Sequence, residues 1–192
     1  MSTASHHQPI SVSDYLHGEQ TATRKHEYVD GRVYAMAGAS NVHNRIASRV
    51  LGALYQQLAN VSCEAYNSDT KIRVCAHQRT YFYYPDASVV CQSNPDKDTY
   101  QDQPVVIVEV ISESTRRIDE GEKLDRYLTI DSLDTYVLLE QVNHSARVFQ
   151  REGYQFRESI FGEDNSVVPL PKIGAVLDFA EIYAGIQFPL SE

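Results

Sequence analysis

Apolar residues recur at every fourth position from Val42 through Ile46, Val50, Leu54 and Leu58, with Ala47, Leu51 and Tyr55 beside them. This spacing predicts a helix over 42–59 whose stripe packs on a sheet, with Arg45, Arg49, Gln56 and Gln57 outside it and Ser40 or Asn41 as the N-cap. Ser11, with Asp14 three positions on, predicts a short helix over 11–16. Asp30-Gly31, set between two alternating segments over 25–37, predicts a hairpin. Strands are expected at 63–66, 71–75, 86–91 and 105–111, and the polar stretch 92–103, with Pro95 and three aspartates, reads as a loop. A second helix is expected over 119–130 with Leu124, Tyr127 and Leu128 inward, then a buried strand over 136–139. Two alternating runs over 145–160 meet in a hairpin at Glu152-Gly153, and a short helix closes the pattern over 178–184.

The core order is therefore helix, strand, strand, strand, helix, strand (αβββαβ), with hairpins added at both ends. Antiparallel strands followed by a helical crossover imply a mixed sheet with helices on its faces, in the α+β or α/β class. At 192 residues the chain is expected to form one domain over 10–192 behind a disordered lead-in over 1–9, which has no apolar signal-peptide region. No apolar run approaches the roughly 18 residues of a membrane span. Cys63, Cys75 and Cys91 show no C-x-x-C spacing and read as buried, reduced thiols of a cytoplasmic protein. The net charge of −9 argues against a protein that coats nucleic acid, but not against a nuclease whose acidic groups hold a metal.

Two carboxylates carry the chemistry. The run Pro104-Val105-Val106-Ile107-Val108-Glu109-Val110-Ile111 reads as a strand buried on both faces, yet Glu109 lies within it. An ionised carboxylate there costs several kcal/mol unless it is paired, protonated or metal-bound. Asp86 opens the preceding strand after Pro85. If the two strands pair, the carboxylates converge and a divalent cation is the natural occupant between them.

The element order, with Pro85-Asp86 and Glu109-Val110-Ile111-Ser112, resembles the PD-(D/E)XK nuclease superfamily. More narrowly, the chain resembles the Uma-type family of bacterial restriction endonucleases over most of its length. The pieces that carry this are His26-Glu27-Tyr28-Val29-Asp30-Gly31, His43, Tyr84-Pro85-Asp86, Val108 to Ser112, Asp119, Lys123 and Tyr127. The resemblance implies a restriction-endonuclease-like core and a metal-dependent endonuclease that hydrolyses DNA phosphodiester bonds with Mg²⁺, or Mn²⁺ in its place. Asp86 and Glu109 would be direct ligands, the Val110 carbonyl a third oxygen, and Glu27 a further ligand or the holder of a metal-bound water. His43 would orient phosphate or water. The lysine expected two residues after the glutamate is Ile111 here, and Lys123 is the matching source of positive charge. Homodimerisation is implied by analogy.

Plainer readings stand beside these. Glu109 could pair with Arg73 or Lys71, Lys123 could be a solvated helix charge, and His43 a surface residue. Tyr81 to Tyr84 could stack nucleobases, or belong to the core or a dimer contact. Arg116-Arg117 could clamp phosphate or lie in a solvated loop. At the level of function, the alternatives are a non-catalytic nuclease-fold binding or assembly module and a metal-dependent hydrolase of another substrate.

Overall fold

The computed structural model describes residues 8–188, so most of the expected lead-in falls outside the described residues. Ser11 caps helix α1 (Val12–Glu19), its hydroxyl accepting from the Asp14 N–H. Strands β1 (His26–Val29) and β2 (Arg32–Ala35) form the expected hairpin, turning at Asp30 and Gly31 with φ of 47° and 90°. A side chain at Gly31 would meet Pro9 Cβ at 2.6 Å, so glycine is required there for space as well as for conformation. Ser40 caps helix α2 (Asn41–Leu58) by accepting from the His43 N–H. Strands β3 (Glu64–Asn67), β4 (Lys71–Ala76), β5 (Arg79–Tyr83), β6 (Ala87–Val90), β7 (Tyr100–Gln101) and β8 (Pro104–Ile111) follow. A π-helical turn, Ile118–Lys123, runs into helix α3 (Leu124–Tyr127). The chain then forms β9 (Thr135–Glu140), the hairpin β10 (Ala146–Glu152) and β11 (Gln155–Phe161), the pair β12 (Val167–Leu170) and β13 (Ala175–Asp178), and helix α4 (Phe179–Ile182).

Two sheets carry these strands. The six-stranded sheet runs β11-β10-β9-β8-β6-β3, and the five-stranded sheet β2-β1-β5-β4-β7. In the larger sheet only β8 and β9 are parallel, joined through the π-turn and α3. Alternate residues of β8 serve two different cores. Val106, Val108 and Val110 pack with Ile46, Val50 and Leu54 of α2, whereas Ile107 and Ile111 pack with Tyr81 and Tyr83 of β5 and Tyr127 of α3. Phe82, on the other face of β5, meets Tyr15 of α1 and Tyr28 of β1. The layers are thus α1, the smaller sheet, the larger sheet and α2, a mixed α/β architecture.

The structure departs from expectation in several places. The segment 71–75 joins the smaller sheet, while β3 pairs directly with β6. Strand β5 was hidden because Tyr81, Phe82 and Tyr83 are buried on both faces and show no polar alternation. Its turn, His77 and Gln78 with φ of 51° and 64°, lacks the usual Asn-Gly or Asp-Gly signal. The second long helix is a wide turn plus one short helical segment.

The cysteine expectation is also corrected. Cys63 and Cys91 are joined in a disulfide, and Cys75 is exposed. The register that sets Glu64 opposite Val90 brings the two flanking cysteines face to face, with Cα atoms 4.0 Å apart. No helix among the described residues is long and apolar enough to cross a membrane.

Candidate active site

The strand register decides where the carboxylates meet. β6 and β8 are antiparallel with Ala87 opposite Val108, so Asp86 arrives beside Glu109 and Val110. Asp86 Oδ2 accepts from the Val110 N–H at 2.7 Å, and Asp86 Oδ1 lies 2.8 Å from His43 Nε2 in the first turn of α2. Glu109 shares a face of β8 with Ile107 and Ile111, so it points into the space between the sheets. There Lys123 Nζ donates to Glu109 Oε1 at 3.1 Å, and the Tyr127 hydroxyl donates to the same oxygen at 3.3 Å.

The N-terminal hairpin supplies a third acid. Tyr28 faces α1, so its neighbour Glu27 faces inward, and Glu27 Oε1 comes to 3.0 Å from Lys123 Nζ. That contact is an ion pair too poorly aligned for a hydrogen bond, which leaves Glu27 Oε1 buried without a hydrogen-bond partner. Asp119 Oδ1 lies 3.3 Å from the same ammonium. The structure therefore brings Glu27, Asp86, Glu109, Lys123 and His43 into one locus, with the Val110 backbone bound to Asp86.

Burial grades across the locus. The Glu109 and Lys123 side chains are 6% and 8% exposed, whereas those of Asp86, Glu27 and His43 are 15%, 15% and 13% exposed. The locus is therefore least covered at Asp86, Glu27 and His43. Burial pushes the Glu109 carboxyl well above the ordinary carboxylate range; Lys123 opposes this, while Asp119, Asp86 and Glu27 add to it. Burial alone would lower the Lys123 ammonium, yet Glu109, Glu27 and Asp119 hold it well above the ordinary lysine range. Lys123 thus stays charged, and the surplus negative charge rests on the acids around it. Burial and Glu109 likewise hold the Tyr127 phenol neutral, as a donor.

Among the described residues no three His, Cys, Asp or Glu side chains are drawn around a common metal-sized centre. The donor chemistry nonetheless fits a hard divalent cation. Four carboxylates face one lysine and one imidazole, all the acidic donors are oxygens, and Glu27 Oε1 is buried with no hydrogen bond beside its ion pair to Lys123.

Several plainer readings fall away. Arg73 binds Asp102 at 2.7 and 2.8 Å, and the partner of Glu109 is Lys123, not Arg73 or Lys71. Lys123 is buried rather than solvated, and His43 is engaged rather than free on the surface. Arg116 is held by Glu140 and Glu120, each at 2.7 Å, so it is not poised to clamp phosphate. Tyr81, Phe82 and Tyr83 are core residues that present no stacking or dimer surface, and Tyr84, also buried, turns its ring toward Lys25 and Lys71. Asp119 and Tyr127 belong to the locus and were not assigned roles from sequence. Their spacing from Lys123, four residues on either side, was the available signal.

A family model, Uma2, described as "Putative restriction endonuclease", matches residues 12–180. Two uncharacterized Synechocystis proteins are similar along the chain. One, slr1290, is 31% identical over 180 residues, which is 93% of this chain and 94% of that protein. The other, sll1609, is 31% identical over 147 residues, covering 75% of this chain and 82% of its own. A crystal structure from Anabaena variabilis, described as "a putative nuclease belonging to DUF820", shares the fold with a TM-score of 0.71 at 14% identity. The match covers 92% of this chain and 98% of that one.

Proposed function

The chain belongs to the Uma2 family, and from that footing we propose that it is a Mg²⁺-dependent endonuclease hydrolysing DNA phosphodiester bonds, with Mn²⁺ able to substitute. The observation that carries this reading is the convergence of Asp86, Glu109 and Glu27 where β6 begins and β8 ends, with Lys123 packed against them. Asp86, Glu109, the Val110 carbonyl and Glu27 would hold the ion. Bound there, it supplies a water of lowered pKa and offsets charge building on the phosphate and leaving oxygen.

The remaining work falls to the chain's own groups. His43 Nε2, against Asp86 Oδ1, fixes the carboxylate and places an imidazole at the open side, where it can position phosphate or water. Lys123 supplies the cation missing at Ile111 from a different element, and its charge stabilises negative charge developing nearby. Tyr127 and Lys123 together fix Glu109 in one orientation. A homodimer, one copy per DNA strand, completes the proposal.

Cleavage of plasmid and single-stranded DNA with Mg²⁺, Mn²⁺ or chelator tests it. Metal-dependent cleavage that Asp86→Asn and Glu109→Gln each reduce by about a hundredfold or more is the expected outcome. Ile111 at the usual lysine position favours the alternative of a non-catalytic nuclease-fold module, which predicts no cleavage with any metal. Cleavage of another phosphate ester or amide, without DNA cleavage, would favour the other-substrate hydrolase.

A further inference from the structure

We propose that Lys71 is the centre of a phosphate-binding subsite beside the catalytic strands, built with Arg24, Lys25 and the ring of Tyr84. Lys71 opens β4 and is only 6% exposed. Among the described residues its ammonium has no carboxylate in ion-pair range and no hydrogen-bond acceptor. Its one close partner is the Tyr84 ring, 5.2 Å from Nζ. Buried Lys123, by contrast, has three carboxylates. The stem of Lys71 is buried while its ammonium reaches the wall of a cleft, a partly desolvated, unpaired charge that an anion in the cleft would complement. Burial accordingly pulls the Lys71 pKa down, with Glu19 the only charge opposing it.

The surroundings select the ligand. Lys71 lines a cleft of about 400 Å³ with Glu19, Arg24, Lys25, Asp69 and Tyr84. Both carboxylates there are already engaged. Asp69 binds Lys25 at 2.8 Å, and Glu19 accepts from the His26 N–H and the Tyr84 hydroxyl and faces His26 Nδ1. Three cations against two acids make the cleft formally positive in a chain of net charge −9. On its other side Lys71 borders a cavity of about 460 Å³ lined by Glu64, Asp69, Asp96 and Asp98, which repels anions. An anion therefore enters from the Arg24 and Lys25 side.

Position makes phosphate the fitting class. The register setting Ile72 opposite Tyr83 seats Lys71 beside Tyr84, which is two residues before Asp86. Two residues span at most about 7 Å, comparable to the separation of adjacent phosphates along one strand. A lysine is a well-suited point charge for a phosphate oxygen. The phosphate would be a backbone group flanking the scissile one; only that choice of source rests on the nuclease reading, since free phosphate presents the same chemistry.

Lys71→Met, tested in chelator with inorganic phosphate and with a fluorescent oligodeoxynucleotide, separates these possibilities. The parent should gain melting temperature with phosphate, and Lys71→Met should not. The variant should bind the oligonucleotide at least about tenfold more weakly, with a salt slope lower by about one. Lys71→Arg should keep both responses. Lys71→Met should melt no lower than the parent; a large loss would mean that the ammonium has a structural partner, and would overturn the subsite. Unchanged oligonucleotide affinity with no parental phosphate response would overturn it too, even if DNA is cleaved. A Lys71-dependent phosphate response without oligonucleotide binding would keep the subsite, make free phosphate its ligand and count against the nuclease reading.

Discussion

Lys123 is the residue whose role depends most on its partners. It compensates Glu109, Glu27 and Asp119 at once, so removing it leaves several buried anions facing one another. Lys123→Met is expected to destabilise the metal-free protein by about 3–5 kcal/mol, measured by urea unfolding in chelator. Glu109→Gln should differ in sign, because Lys123 keeps two other acids. The folded Glu109 carboxyl titrates above its ordinary value of 4.5, so the fold holds that proton more tightly than the unfolded chain does. Its penalty is absent below about pH 4.5 and grows as pH rises toward the raised value. The stability of Glu109→Gln relative to the parent should therefore increase across that window and then level off. A flat difference would show that Glu109 ionises in the fold as it does in water. Glu109 itself was legible, since a lone acid in a run of valines has few explanations. Its cation was not, because Lys123 lies on another element, among acids that make it look solvated.

At the scale of elements, legibility followed periodicity. The α2 stripe and the hairpins at Asp30-Gly31 and Glu152-Gly153 were readable because burial on one face leaves a clear period. β5 is buried on both faces and so has no period to read, yet it joins the N-terminal hairpin to β4 and thereby brings Glu27 inward. The π-turn was unreadable for a different reason: Ile118–Lys123 carries no apolar period, and the residues it buries are the charged Asp119 and Lys123. The Cys63–Cys91 bond depended on the pairing of β3 with β6, which the intervening β4 and β5 conceal. The cross-link spans 28 residues, and breaking it with reductant should lower stability by about 3–4 kcal/mol on chain-entropy grounds. A calorimetric melt that is the same with and without reductant would contradict this.

For the molecule as a whole, the core tyrosines are spent on packing, so any self-association must use other surfaces. The free edge at β11 is one, with Ile160 and Tyr154 exposed. Sedimentation velocity at micromolar concentration should show a dimer, and a monomer there would refute it. The central claim, that Asp86 and Glu109 form a divalent-cation site, is tested most directly by thermal melts of the parent, Asp86→Asn and Glu109→Gln in chelator and in Mg²⁺. At a hundred times its Kd, Mg²⁺ should stabilise the parent by about 2.7 kcal/mol, a rise of roughly 5–10 °C for a chain of this size. Both variants should shift far less while melting no lower than the parent in chelator. A parent indifferent to Mg²⁺, with variants that melt well below it, would instead make the cluster a structural ion-pair network.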